Sequence, residues 1–249
     1  MKKTLLAGVL VALALAVSPA LASDIKFPTG QPTIGQDDFK TLSKELGALI
    51  GFKNMAPAEP LGLTGFDVGL EVSGVGIDKN GSYWNSAFNN SAPSFLAFPK
   101  LRARKGLPFG IDIGAMYSYV PDSNVKLYGG EISKSILDGG IVSPAVGVRA
   151  TYTKLAGVDD LSLQTYGIDA SISKGLLFLT PYAGAGLLWV SSEAKGTLAA
   201  NSSVSLKNEQ TLPRYFFGLK VSPFPLVGIT AEVEYAVRPI YSLKAAISF

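Results

Sequence analysis

The stretch 226–249 constrains this chain more than any other. Val227, Ile229, Ala231, Val233, Tyr235 and Val237 lie on one side of a period-two zigzag, with Thr230, Glu232 and Glu234 on the other. After Arg238-Pro239, Tyr241, Leu243, Ala245, Ile247 and the terminal Phe249 share one side; Ser242, Lys244 and Ser248 share the other. Successive side chains of a strand point to opposite faces, so this alternation predicts a β-hairpin. A soluble sheet can bury such a face. In an exported chain ending on an aromatic strand, the same pattern predicts a barrel with its apolar side toward lipid.

Export is read from the other end. Lys2 and Lys3 precede an apolar run over 5–17, Ser18-Pro19 breaks it, and Ala20-Leu21-Ala22 offers small residues for cleavage. The run is too short to span a bilayer. Residues 1–22 are therefore expected to be a signal peptide, cleaved after about Ala22. Loss of Lys2 and Lys3 takes the formal charge from +3 to +1, which gives no electrostatic basis for nucleic-acid binding. Beyond the signal, no run of about 20 apolar residues remains to form a membrane helix.

Residues 23–35 read as a polar extended linker. Phe39, Leu42, Leu46, Leu49 and Ile50 fall at helical spacing behind Asp37-Asp38 and before Gly51, predicting an amphipathic helix over about 37–51. It could plug a barrel, form a periplasmic arm or simply cover the rim. Residues 53–60 read as a turn-rich connector, so 23–63 is expected to be a periplasmic leader and 64–249 the barrel.

From Thr64 onward ten strand candidates follow, with eight or twelve as alternatives, and a bulge is expected at Gly129-Gly130, where the alternation slips. Placing the N-terminus in the periplasm puts the long connectors 77–94 and 193–209 on the outer side and leaves short turns on the inner side. That is the loop asymmetry of outer-membrane barrels. Trp189, Tyr117, Tyr119, Tyr152 and Tyr235 fall near outer strand ends, and Phe109, Phe178 and Phe249 near inner ends, as interfacial girdles would.

The signal, the alternating strands and the ending Tyr241-x-Leu243-x-Ala245-x-Ile247-x-Phe249 resemble Gram-negative outer-membrane β-barrel proteins, a class whose small members include OmpA-, OmpX- and OmpW-like barrels. The resemblance implies an all-β, antiparallel, up-and-down transmembrane barrel in the bacterial outer membrane. It also implies that Tyr241, Leu243, Ala245, Ile247 and Phe249 are read by the barrel-assembly machinery, with periplasmic chaperones acting during biogenesis. The leader and Asn54-Met55-Ala56-Pro57 resemble the N-terminal plug region of FadL-type hydrocarbon transporters, although ten strands are too few for that fold.

The chain has no His and no Cys. That removes Ser-His-Asp hydrolysis, His general bases, His or thiolate metal sites, disulfides and a lipidated cysteine. No phosphate-binding or dinucleotide motif occurs in a strand-to-helix setting. No catalytic residue, cofactor or metal is expected. The informative set is the inward face: acids Asp67, Glu71, Asp112, Glu131, Asp169, Glu232 and Glu234, and bases Lys100, Arg102, Arg104, Lys126, Arg149, Arg214, Lys220 and Lys244. Neighbouring strands carry opposite signs, and closure sets Lys244 beside Asp67 and Glu71. A lumen of eight to ten strands is largely filled by side chains, so these groups are expected to form a packed ion-pair network; the alternative is a polar conduit for a small solute. The functional expectation is a non-enzymatic barrel embedded in outer-membrane lipid, structural or a narrow passive channel. The alternatives are an adhesin-like barrel acting through its external loops and a hydrophobic-ligand transporter plugged by the helix.

Overall fold

A computed structural model describes residues 34–88, 91–120, 123–200, 202 and 205–249. The expected signal peptide, 1–22, and residues 23–33 of the expected linker lie outside these residues. Ten strands form a closed antiparallel barrel in which each pairs with its sequence neighbours. They are β1 (Phe66–Gly76), β2 (Phe95–Leu107), β3 (Ile111–Tyr119), β4 (Lys126–Asp138), β5 (Ala145–Ala156), β6 (Leu161–Ser173), β7 (Leu179–Ala194), β8 (Lys207–Phe224), β9 (Val227–Tyr235) and β10 (Pro239–Ser248). Among the described residues three α-helices accompany them: α1 (Gln36–Ile50), α2 (Ser82–Ala87) and α3 (Gly196–Ala200).

The seam is β1 on β10, in a register that sets Asp67 opposite Ser248 and Glu71 opposite Lys244. Phe66 and Phe249 lock it at one end, exchanging backbone hydrogen bonds of 2.9 Å each way and stacking their rings at 5.9 Å. Closure leaves no unpaired strand edge. The described residues of the connections that follow β1, β3, β5, β7 and β9 gather at one end, the long-loop mouth; the turns 108–110, 139–144, 174–178 and 225–226 gather at the other, the turn rim.

Alternation sorts the wall as period two requires. In β1, Phe66 and Val68 are exposed while Asp67, Glu71 and Ser73 are buried. On the outward rows, charged residues occur only near strand ends: Lys105 and Lys134 toward the turn rim, and Lys126, Lys154, Glu193, Lys207 and Glu209 toward the long-loop mouth. Tyr117 and Tyr128 pair across β3 and β4 at 5.2 Å, and Tyr152 and Tyr166 across β5 and β6 at 5.1 Å. The expected bulge at Gly129-Gly130 does not occur. β4 pairs with β3 and β5 in unbroken register there, and its irregularity falls between Ser135 and Leu137, beside the turn. The glycines stay in phase and make room instead, since a Cβ on Gly129 would come within 2.9 Å of the Phe52 ring.

The segment expected to precede the barrel runs through it. α1 sits in the long-loop half of the lumen: Gln36 Nε2 donates to the Lys207 carbonyl (3.0 Å), and the Ser192 hydroxyl bonds that of Ser43 (2.7 Å). The chain then descends in extended form. The Ala58 N–H reaches the Ser173 hydroxyl at 3.0 Å, and the Leu61 N–H reaches Asp112 at 3.1 Å, both near the turn rim, where β1 begins. Residues expected to be a connector, 53–60, are thus the lower part of a threaded plug.

The lumen consequently has two layers. Around α1, Phe39, Leu42, Leu46 and Leu49 pack against inward Leu96, Phe98, Leu127, Leu163, Leu188 and Val190 in an apolar core. Gly47 lets the helix lie against the wall, because a Cβ there would meet Val190 Cγ1 at 2.4 Å. Of the loop 77–94, expected to be polar and external, residues 77–88 fold over this core, with Ile77, Trp84, Ala87 and Phe88 buried in the same cluster.

Candidate functional site

Beneath the apolar layer lies the charged one. Glu71 accepts from Lys100 (2.9 Å) and Arg102 (3.2 Å), and Glu131 from Arg102 (3.0 Å) with Arg149 at 3.4 Å. Arg104 Nε lies 3.0 Å from Glu131, and its NH2 donates to Asp112 at 3.2 Å. Asp169 takes Arg149 (2.5 Å) and Arg214 (2.6 Å), and Asp67 takes Lys244 (2.9 Å) and the Ser248 hydroxyl (2.6 Å). These carboxylates and cations are all buried.

Two residues of the expected set stand apart. Lys126 is not in the lumen: with no bulge to change the phase of β4, Leu127, Gly129 and Glu131 face inward and Lys126 faces out, half-buried beside the long-loop mouth. Lys220 keeps the inward parity of Arg214 and Phe216 but lies half-buried near the turn rim, its Nζ 3.7 Å from where a Gly228 Cβ would stand. No ion pair to Lys220 occurs among the described residues.

Alternation of the strands could not reveal Lys53. It is fully buried, donates to Glu234 at 2.6 Å and reaches back to the Ala48 carbonyl at 2.6 Å, satisfying an acceptor that the end of α1 would otherwise orphan. With Lys53 counted, the charged layer holds seven buried acids and seven buried bases. The plug thus supplies the cation that balances the formal charge of this layer.

The plug backbone depends on the same side chains. An extended segment inside a barrel has no strand neighbour, yet each buried N–H and C=O needs a partner. Arg102 and Arg149 donate to the Lys53 carbonyl at 3.0 and 2.7 Å, Arg102 also to Asn54 at 2.9 Å, and Arg214 to Phe52 at 3.0 Å. Glu232 accepts from the N–H groups of Asn54 (3.2 Å) and Met55 (2.9 Å) and from the Tyr182 hydroxyl (2.8 Å). The Phe52 ring lies under the Arg102 guanidinium, 4.5 Å away. These charges therefore act as donors and acceptors for a peptide segment.

At the long-loop mouth Glu45 of α1 forms a latch. It accepts from Tyr83 (3.1 Å) and Trp84 (2.8 Å) of α2 and from Arg238 between β9 and β10 (2.8 Å). Burial, and next the Glu45 carboxylate, push the Tyr83 hydroxyl above its ordinary pKa. One clue to the latch was legible: Glu45 lies next to Leu46, on the apolar side of the helix. A furrow of about 480 Å3 lies on the outer wall among Val72, Phe95, Phe217, Leu219, Val233 and Tyr241, outside the lumen. Among the described residues no cluster of His, Cys, Asp or Glu has the makings of a metal site.

No protein-family model matches the sequence, and no curated protein does. Among solved structures, the N-terminal β-barrel domain of Pseudomonas aeruginosa OprF is similar at 15% identity, covering 76% of this chain and 99% of that one, with a TM-score of 0.35. Ail, the attachment invasion locus protein of Yersinia pestis, is similar at 14% identity over 74% of this chain and 97% of its own, with a TM-score of 0.34. Neisserial surface protein A is similar at 9% identity, 74% and 94% coverage and a TM-score of 0.28. The chain is a closed ten-stranded antiparallel barrel with its lumen occupied by its own N-terminal segment.

Proposed function

We propose that this protein is a non-catalytic integral barrel of the bacterial outer membrane, built to stay closed. The membrane reading rests on the outward rows: exposed Leu, Ile, Val, Phe and Tyr cover the wall, and charge on those rows is confined to the strand ends. An Arg or Lys at mid-membrane would cost about 2–4 kcal/mol, which accounts for that confinement. In this reading the outward row of β10, Tyr241, Leu243, Ala245, Ile247 and Phe249, is what the assembly machinery engages.

One observation carries the closed state: the carbonyls of Phe52, Lys53 and Asn54 are the acceptors for Arg214, Arg149 and Arg102. The lumen arginines are occupied by the plug, and α1 with its apolar collar fills the layer above. A passive channel through this lumen is therefore disfavoured, and so is a role that needs free external loops, since residues 77–88 fold onto the plug. Planar-bilayer recording tests this. The full mature chain is expected to give no current steps, whereas K53M/E45Q, which loosens both anchors of the plug, is expected to give intermittent ones. Steady conductance by the unaltered protein would refute the closed barrel.

A further inference from the structure

The tips of the turn rim are apolar, with Glu59, Asp138, Ser143 and Ser222 exposed among them. Phe109 is 86% exposed, Ile141 99%, Val142 91%, and Leu177 is fully exposed; Phe178, Phe224 and Leu226 are exposed beside them. Phe109, Leu177 and Leu226 also hold left-handed φ values of 66°, 57° and 70°. Glycine takes that conformation without steric cost and bulky residues do not. Side chains as exposed as Phe109 and Leu177 gain little intramolecular packing in return; the offset within the chain is backbone hydrogen bonding, as between Leu176 and Leu179 at 2.6 and 2.9 Å across the turn.

The backbone of the rim is equally unusual. Its carbonyls are capped by lysines from neighbouring turns and strand ends. Lys174 Nζ donates to Gly140 (2.8 Å), Ile141 (2.7 Å) and Ser143 (3.1 Å); Lys105 Nζ donates to Leu63 (2.7 Å) and Gly65 (3.1 Å); Lys134 Nζ donates to Phe109. Peptide groups leaving water need such internal partners, while turns in water do not. The opposite mouth differs in kind: its exposed tips include Asp78, Lys79, Asn80 and Asp159.

We propose that the turn rim is a lipid-docking surface, its apolar tips immersed at the boundary between headgroups and acyl chains, with Lys105, Lys134 and Lys174 placed among anionic headgroups. The tips lie beyond the apolar outer wall, with outward Lys105 and Lys134 and exposed Asp138, Ser143 and Ser222 between them, so apolar and polar groups alternate around the rim as they do across a headgroup boundary. This rests on the membrane reading above. The barrel would then end within the leaflet on this side and project from it on the other.

The chain has no cysteine, so single-cysteine variants label uniquely. Nitroxides are attached to F109C, I141C and L177C, with V148C on the outer wall and N80C at the long-loop mouth as references. The full mature chain is studied in phosphatidylethanolamine–phosphatidylglycerol nanodiscs, and collisions with oxygen are compared with those of a water-soluble nickel chelate. The expected result is that all three rim labels match V148C, with an oxygen-to-nickel ratio at least about tenfold above that of N80C, as partition into acyl chains demands. Rim labels open to nickel beside an oxygen-rich V148C would overturn this proposal and leave the membrane reading standing. Rim labels shielded from both reagents would overturn it in favour of a protein partner or a second copy. Nickel access at V148C as well would bring down both readings.

Discussion

Lys53 is the residue on which the charged layer turns. It is buried with Glu234 at 2.6 Å, and its removal leaves that carboxylate with only Arg214, 3.7 Å away. Breaking one side of a buried pair costs about 3–5 kcal/mol. K53M is therefore expected to lower the free energy of unfolding by that order in denaturant titrations of the folded barrel, and K53M/E234Q to recover part of it; an unchanged midpoint for K53M would argue against the threaded plug. Lys126 supplies the contrast. Facing outward at a strand end, it is expected to tolerate K126Q within about 0.5 kcal/mol, while K100Q, which strips Glu71 of a 2.9 Å partner, falls in the range of Lys53. A K126Q loss as large as that of K100Q would restore Lys126 to the lumen.

Among the elements, α1 is the one whose placement follows least from its own residues. Its apolar face needs cover, and the inward Leu, Val and Phe of the upper strands provide it. Gly47 sets how close it comes, so G47V is expected to push the helix off Val190 and lower the melting temperature, whereas substitution at exposed Lys40 leaves it unchanged. The latch binds α1 to α2. Hydrogen bonds to a buried charged group contribute about 1.5–3 kcal/mol, and Glu45 accepts three. E45Q is expected to loosen the loop 77–94, seen as faster proteolytic cleavage there and a red-shifted Trp84 emission; protection equal to that of the unaltered chain would mean the loop is held by its apolar contacts alone.

The molecule as a whole is polar in its direction through the barrel. The plug enters at the long-loop mouth, with Gln36 beside Lys207 and Asp38 within 2.8 Å of Ser82, and leaves at the turn rim, where Leu61 meets Asp112. In a membrane, Asp37 and Asn80 then lie on one side and Gly175 on the other. An impermeant thiol reagent added to one side of oriented vesicles is expected to modify D37C and N80C together and to spare G175C. D37C grouping with G175C would place the N-terminal segment at the periplasmic end instead.

The sequence by itself determined the wall. Period-two alternation fixes which side chains share a face, and the segregation of charge from bulky apolar groups separates the two faces, so the ten strands could be placed by counting. Alternation is a local property, and it failed where its phase was in question: Gly129-Gly130 reads as a slip, yet the register with β3 and β5 carries through, and Lys126 turns out with it. Only the tertiary structure decided what fills the barrel. Lys53, Phe52 and Glu45 have no strand period to announce them, and a stretch rich in Pro and Ala reads as a connector. Their place follows from closure: a ring of inward arginines and glutamates creates a demand for backbone donors and acceptors at its centre, and the nearest chain that can meet it is the protein's own.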